Sequence, residues 1–167
     1  INIILILVFY VSLNAQTFPY NQEFQVNTSI NIDNGYPEVC ALSDGGFVIG
    51  WGSGYLGILG QIYNLNGTKR GGEFEAHSDG TSFKMSANVT SLADGGFAVC
   101  WASSEQDGSG YGIYAQLFNN NGTRRGNEFR VNTYTEGDQV ESDIIGLTGG
   151  RFVACWESEG QDDGFGV

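Results

Sequence analysis

A motif that returns at a nearly fixed spacing constrains the fold of this chain more than any other feature. Three tryptophans each end an apolar run that begins with Phe, and they are 50 and 55 residues apart: Trp51, Trp101 and Trp156. Three Glu-Phe pairs repeat with the same two spacings, at 23–24, 73–74 and 128–129. Two independent landmarks with one period indicate repeated supersecondary units, each of which buries an apolar face against the next copy.

Each period contains four runs typical of β-strands. The first run is Glu38–Leu42, the second is Phe47–Trp51, the third is Ile58–Tyr63, and a strand with the Glu-Phe pair is the fourth. The matching runs in later periods are 88–92, 143–147, 97–101, 152–156 and 113–118. Asp-Gly or Asn-Gly pairs lie between several of these runs, and they favour hairpin turns because Gly accepts the positive φ that such turns need.

The polarity of the runs predicts their order within a sheet. The second run is apolar on both faces, as in Phe97–Trp101, which is typical of a strand covered on both sides. The fourth run alternates between apolar and polar residues, so one of its faces is expected to contact water. Ala41, Ser91 and Gly146 occupy equivalent places in the first run, which indicates a crowded position.

The third run carries one polar residue, Gln61 or Gln116, in an otherwise apolar strand, and a buried amide of this kind needs a hydrogen-bond partner. Together the runs predict an all-β fold, a propeller-like array of four-stranded antiparallel blades of which the sequence holds about two and a half. A β-sandwich and a β-solenoid of repeats are the alternatives.

The start of the chain is typical of a secretory signal peptide. Residues 1–11 are apolar apart from Asn2, and the small residue Ala15 follows. The run is shorter than the roughly 20 residues that a membrane span needs. We therefore expect a signal peptide over 1–15 with a truncated start, no membrane span, and a protein that is secreted or displayed on the cell surface.

The β-repeat domain is then expected to cover 16–167 in units 23–72, 73–127 and 128–167, and to be incomplete. In a closed ring, the leading strand at 23–28 is expected to complete the last blade. Strand edges that stay unpaired favour self-association.

Charge argues against two classes of partner. Acidic residues outnumber basic ones 19 to 7, which gives a formal net charge of −12. So negative a surface repels phosphate groups, and we therefore expect neither nucleic acid nor an anionic membrane as a partner.

The segment Gln106–Gln116 and the Phe-to-Trp runs carry a resemblance to a known repeat. They resemble a repeat of large exported bacterial surface and adhesin-like proteins, which often also contain RTX calcium-binding repeats. Its pattern reads approximately D-G-G-F-V-V-x-W, Q-D-G-S-G-Y-G-I-Y-A-Q-x-F, N-G and G-x-E-F-x-V-N-T. The likeness covers nearly everything from residue 23 onward, although Gly52–Gly57 is shorter and lacks the acidic Gln-Asp pair. The resemblance implies extracellular display, adhesion or matrix building, and it brings no catalytic residues.

Acidic loops between the second and third runs are candidates for binding Ca²⁺. Asp107 lies in one such loop, and Asp162 and Asp163 lie in the next. Carboxylate oxygens and glycine-permitted backbone carbonyls are the ligands that Ca²⁺ requires. Neither loop has the spacing of an EF-hand or of the RTX nonapeptide, so a solvated turn is the simpler interpretation. No other cofactor is expected.

Few residues suit catalysis. His77 is the only histidine, so a catalytic triad or a histidine metal site lacks its partners, and we expect His77 to be an exposed loop residue. The segment 44–47 faintly resembles the Asp box of sialidase propellers but lacks its Thr, and Asp44 is expected to bond its own backbone in a turn. A glycosidase also needs a paired acid and base.

The three cysteines cannot all pair within the chain. Cys100 and Cys155 hold the same place in neighbouring units, where the first unit has Gly50. A position that accepts Gly or Cys is a small packing site, so we expect buried thiols there rather than a disulfide.

Four Asn-x-Ser/Thr sequons are candidates for glycosylation: Asn27, Asn66, Asn88 and Asn121. Asn66 and Asn121 lie at predicted hairpin tips, where a glycan faces water. A plain type I′ turn is the more economical interpretation of these two residues.

These observations favour a non-enzymatic exported repeat module for surface attachment or extracellular structure. Its expected partners are further copies of itself, other surface proteins or carbohydrate. A calcium-dependent carbohydrate-binding or adhesion module is the alternative, and a glycosidase-type propeller enzyme is the second alternative.

Overall fold

The computed structural model describes residues 4–5, 24–28, 32–78 and 80–161. Twelve strands account for most of them. They are β1 Ile4–Leu5, β2 Phe24–Gln25, β3 Asn34–Ala41, β4 Phe47–Ser53, β5 Ile58–Tyr63, β6 Lys69–Glu75, β7 Lys84–Ser91, β8 Phe97–Ser104, β9 Tyr111–Phe118, β10 Arg124–Arg130, β11 Gln139–Gly146 and β12 Phe152–Ser158. The only helical turns in these ranges are two 3-10 segments, Gly54–Leu56 and Thr148–Gly150.

The strands form antiparallel sheets in which neighbours in sequence pair. The first sheet has the order β3-β4-β5-β6, the second has β7-β8-β9-β10, and the third consists of β11 and β12. A short pair of β1 and β2 precedes them, so that residues 4–5 of the predicted signal segment lie beside Phe24 and Gln25; the rest of 1–15 lies outside the described residues. The prediction of an all-β chain with four-stranded antiparallel sheets is confirmed, and none of the described sheets is closed.

The predicted Asp-Gly turns connect the first two strands of the first and second sheets. Gly45 has a φ of 86°, and its N–H donates to the carbonyl of Leu42 at 3.0 Å. The Asp44 carboxylate accepts from Gly46 N–H at 3.0 Å, as predicted for a turn residue. The same bonds recur 50 residues later, where Gly95 has a φ of 95°.

The first strand of each sheet begins four residues before its predicted start. A β-bulge lies inside each of these strands, and the sequence pattern predicted only the part that follows the bulge. At each bulge a residue other than glycine adopts a left-handed conformation: Tyr36 (φ 52°), Ser86 (φ 56°) and Glu141 (φ 48°). Such a conformation is costly and persists only where the surroundings impose it. Its recurrence shows that the bulge belongs to the repeat.

The three sheets stack face to face. Between the first and second sheets lie Val48, Ile62, Phe97, Val99 and Trp101, all at most 1 % exposed. A second core lies between the second and third sheets. The first strands are so close there that a Cβ on Gly146 would lie 1.9 Å from the Ser91 carbonyl oxygen. The crowding predicted for this position is therefore confirmed at Gly146.

Candidate functional site at the junctions between sheets

An aromatic contact recurs wherever one unit meets the next. Phe74, on the fourth strand of the first sheet, packs against two rings of the second sheet: its centroid lies 5.0 Å from that of Phe118 and 5.7 Å from that of Phe97. One repeat further on, Phe129 lies 6.2 Å from Phe152 of the third sheet. The Phe of each repeated Glu-Phe pair therefore supplies the aromatic ring that packs one sheet against the next.

The segment 24–28 makes the same contact with the first sheet. Phe24 lies 5.5 Å from Tyr63, which stacks on Phe47 at 4.8 Å. Val26 is fully buried in this core together with Trp51. The segment thus occupies, on the first sheet, the place that β6 occupies on the second.

Hydrogen bonds repeat along with the rings. Glu73 accepts from the backbone N–H of Thr28 at 2.6 Å, and Glu128 accepts from that of Ser78 at 2.5 Å. Lys69 Nζ donates to the carbonyl of Val26, and the equivalent Arg124 donates to the carbonyls of Glu75 and His77. Each fourth strand therefore carries an acidic and a basic side chain that hold the end of the preceding unit.

His77 is buried, so the expectation of an exposed loop residue is wrong. The residue is 8 % exposed and its ring lies over Gly57, and Nδ1 is within hydrogen-bond distance of both the backbone N (3.3 Å) and the carbonyl oxygen (3.4 Å) of Ile58. Asn132 holds the equivalent place, where it accepts from Ile113 N–H at 2.8 Å and donates to Gln139. These side chains fix the start of the third strand.

Burial lowers the pKa of His77 below its ordinary value, and the nearby Lys84 charge lowers it further. The backbone contact at Ile58 and the charges of Glu75 and Glu128 act in the opposite direction but are weaker. Burial therefore favours the neutral ring, whose Nδ1 can accept from the Ile58 N–H in one tautomer or donate to the Ile58 carbonyl in the other.

Gln61 and Gln116, which hold equivalent positions in the third strands, bond to the backbone beside bulges in the fourth strands. Gln61 Nε2 donates to the carbonyls of Ile62 and Gly71, at 2.9 Å and 3.3 Å. Gln116 Nε2 makes the equivalent bonds at 2.8 Å and 3.2 Å. The amide nitrogens thus find partners in backbone carbonyls beside each bulge, whereas Gln61 Oε1 and Gln116 Oε1 are buried without a partner among the described residues.

An ion pair closes one end of each four-stranded sheet. Arg70 Nη1 lies 2.6 Å from the Asp44 carboxylate, and Arg125 lies 2.5 Å from Asp94. The bond from Arg70 lowers the pKa of Asp44. Both side chains of each pair are partly exposed, so the pairs contribute little to stability but orient the turns.

The outer face of the third sheet is open. Ile145, Leu147 and Val153 are 62 %, 40 % and 51 % exposed. The equivalent residues of the second sheet, which face the third sheet, are only 8 %, 1 % and 0 % exposed: Thr90, Leu92 and Ala98. The third sheet thus presents to solvent the positions that the second sheet buries against its successor.

The cysteines differ in exposure in the same way as the second and third sheets. All three are free thiols in the described ranges. Cys100 is fully buried beside Ser142, and burial raises its pKa to about 11. Cys155, in the same place on the third sheet, is exposed. The expectation of a buried thiol is therefore correct for Cys100 and wrong for Cys155, because the structure describes no sheet packed on Cys155.

Of the residues predicted to bind calcium, only Asp107 lies within the described residues; Asp162 and Asp163 lie outside them. Asp107 Oδ1 accepts from Ser109 N–H at 3.3 Å, as in an Asx turn, while its Oδ2 is buried without a partner among the described residues. Gln106 Oε1 is likewise buried without a partner among the described residues. Within the described ranges no group of three or more His, Cys, Asp and Glu residues is placed to hold a metal ion.

The four sequons fall into two environments. Asn66 and Asn121 are exposed at hairpin tips, and each Oδ1 accepts from the hydroxyl of the sequon threonine, at 2.6 Å and 2.7 Å. Asn27 is 3 % exposed. Asn88 is half-buried and donates to the carbonyl of Ser142. Only the two hairpin-tip amides are therefore open to a modifying enzyme.

No protein-family model, curated protein or solved structure matches the chain. Among the described residues, no helix has the length and apolar character needed to cross a membrane.

Proposed function

We propose that this chain is an exported, non-enzymatic β-repeat module, built as successive blades of a propeller, that serves in surface attachment or extracellular structure. The repeated junction is the observation that carries this proposal. The polar residues that recur with the repeat are used for packing one unit on the next: Glu73 and Glu128 hold backbone N–H groups, and His77 and Asn132 fix strand ends. Side chains that could serve catalysis are thus engaged in holding the stack together.

The packing of the first strands supports the propeller arrangement. β3 contacts β7, and β7 contacts β11, so the first strands follow one another across the stack. The first strand β7, which has a described sheet on each side, has no exposed residue, whereas the fourth strands β6 and β10 both carry several. Inner strands that are crowded and outer strands that are wet are what blades around an axis require.

Cell fractionation tests the proposal. The full chain, preceded by an initiator Met and a short basic segment that complete the start of the signal-like region, and a version lacking 1–15 are expressed in a bacterial host with a tag inserted at the exposed hairpin tip of Asn66. We expect the full chain in the medium or on the cell surface, and the shortened version inside the cell. Retention of both versions in the cytoplasm would contradict export.

The same samples test for an enzyme. The exported chain is incubated with a panel of fluorogenic glycosides, and we expect no release above that of heat-denatured protein. Release that survives purification would support a glycosidase-type propeller instead.

A further inference from the structure

The chain contains three Asn-Gly pairs: 34–35, 66–67 and 121–122. Asn66 and Asn121 are exposed at hairpin tips, whereas Asn34 is 2 % exposed at the start of β3. An asparagine followed by glycine favours an intramolecular reaction, because glycine has no Cβ to hinder the approach of its backbone nitrogen to the side-chain amide. The two hairpin tips are therefore candidate sites of that reaction.

Neighbouring units leave both tips accessible. The tip that carries Asn121 lies beside the preceding unit, where the Asn120 carbonyl accepts from Arg70 Nη1 at 3.1 Å. Arg70 also bonds Asn64 of the first tip, so the tip that carries Asn66 lies beside the following unit. Both Asn66 and Asn121 are nevertheless exposed. A neighbour on either side therefore leaves the side-chain amide open to water.

Each tip holds the side-chain carbonyl oxygen of its asparagine with two donors. Asn66 Oδ1 accepts from the N–H and the hydroxyl of Thr68, at 3.2 Å and 2.6 Å. Asn121 Oδ1 accepts from the same two groups of Thr123, at 3.0 Å and 2.7 Å. Attack on the amide carbon places negative charge on this oxygen, and donors that are already in position stabilise that charge.

The two nitrogens of the reaction are held differently. The N–H of Gly67 donates to the Asn64 carbonyl at 2.8 Å, and this turn bond must open before the nitrogen attacks. One such bond changes a rate by about fivefold, and the two bonds on the oxygen offset it. The leaving nitrogen, Nδ2, has no partner among the described residues at either tip, whereas Nδ2 of Asn34 donates to the Ile32 carbonyl at 2.8 Å.

We propose that Asn66 and Asn121 are sites of spontaneous deamidation, promoted by the hydroxyl of the threonine two residues further on. The backbone nitrogen of the following glycine forms a bond to Cγ, its proton passes to water, and the Cγ–Nδ2 bond breaks with release of ammonia. Water then adds to either carbonyl of the resulting cyclic imide, which gives aspartate or isoaspartate. One water is consumed and one ammonia is released, so the step needs no oxidant, metal or enzyme.

The products alter a contact between neighbouring units. Each event adds one negative charge to a chain whose net charge is −12. Isoaspartate also routes the main chain through the side-chain carbon, which lengthens the tip beside Asn120. Asn120 bonds both Arg70 and Asp44 of the first sheet. Modification of Asn121 therefore changes the tip that joins the second unit to the first.

Peptide mass spectrometry tests the proposal on the full chain, made in a host without N-glycosylation. The folded chain is incubated at mildly alkaline pH for about ten times the period in which the urea-unfolded chain converts most of its Asn-Gly pairs, a margin that covers the effect of the turn bond. We expect aspartate and isoaspartate at 66 and 121, and unchanged Asn34.

Three results of this incubation would overturn the proposal. The first is the absence of conversion at both tips, and the second is conversion of Asn34 at the same rate as the tips. The third is aspartate without isoaspartate, because direct hydrolysis of the amide bypasses the imide and forms no isoaspartate.

Thr68→Val removes the hydroxyl donor at one tip and leaves the other tip as an internal control. Conversion at Asn66 should slow by about fivefold, while conversion at Asn121 stays unchanged. Thr68→Ser keeps the hydroxyl and should react like the unchanged chain. The hydroxyl of Thr68 also accepts from Asn64 Nδ2, so a change that merely loosened the tip would speed the reaction. Faster or unchanged conversion at Asn66 in Thr68→Val would therefore overturn the proposal.

Discussion

Replacing Gly146 by alanine should separate the second and third sheets while leaving each sheet intact. The added Cβ would lie 1.9 Å from the Ser91 carbonyl oxygen, whereas ordinary contacts of a Cβ begin near 3.4 Å. The first strands β7 and β11 must therefore move apart by about 1.5 Å. This movement also breaks the bond from Gly146 N–H to Thr90 Oγ1, now 2.9 Å. Overpacking of this kind costs roughly 1–3 kcal/mol.

Thermal unfolding measures the effect. For a chain of this size a cost of roughly 1–3 kcal/mol lowers Tm by about 2–12 °C. Gly72→Ala is the matched control, since no atom lies within 4 Å of the added Cβ and the position is exposed. It should leave Tm unchanged or raise it slightly, because alanine restricts the unfolded chain. Equal Tm values for the two variants would refute the close approach of the first strands.

Four further predictions follow from individual residues. The pKa of His77 is lower in the folded protein than that of a histidine in the unfolded chain, so the stabilisation by the buried neutral ring is complete above about pH 6.5 and declines as the pH falls below that value. In urea titrations at pH 7 and pH 5.5, His77→Asn should remove this decline. Cys155 should react with a maleimide at least tenfold faster than Cys100, and mass spectrometry of peptides would contradict this by finding equal labelling. Millimolar Ca²⁺ should leave Tm unchanged, and a rise abolished by Asp107→Asn would show the loop to be a calcium site. In a glycosylating host, only the two sequons at hairpin tips should carry glycans, and glycan on a buried sequon would contradict the described packing.

Local patterns in the sequence predicted the strands and turns. Asp44-Gly45 forms the expected hairpin, and Ile58–Tyr63 is a strand with the predicted bounds. Both follow from interactions within a few residues, namely the positive φ of glycine and the alternation of side chains along a strand. The crowding at Gly146 was also predictable, because the repeat places small residues at one point in every copy.

Other features depend on the neighbouring unit, and a single repeat does not reveal them. Cys100 and Cys155 are equivalent in sequence, yet only Cys100 has a described sheet packed on it. The left-handed conformation of Tyr36 could not be predicted from the sequence either, since a tyrosine side chain does not favour a bulge. His77 was misjudged from its polar neighbours. Its alignment with Asn27 and Asn132, both buried, is the signal that identifies it as part of the junction.

Acrylamide quenching of single-tryptophan variants tests most directly whether neighbouring sheets shield each other's aromatic strands. The other two tryptophans are replaced by Phe in each variant; Trp51 and Trp101 lose no hydrogen bond by this change, since their N–H groups have no partner among the described residues. Trp101 lies between two sheets and is 0 % exposed, whereas Trp156 on the third sheet is half-buried. We expect the quenching constant of Trp101 to be several-fold smaller than that of Trp156. Equal constants, at the level of free indole, would contradict the stacking of the sheets.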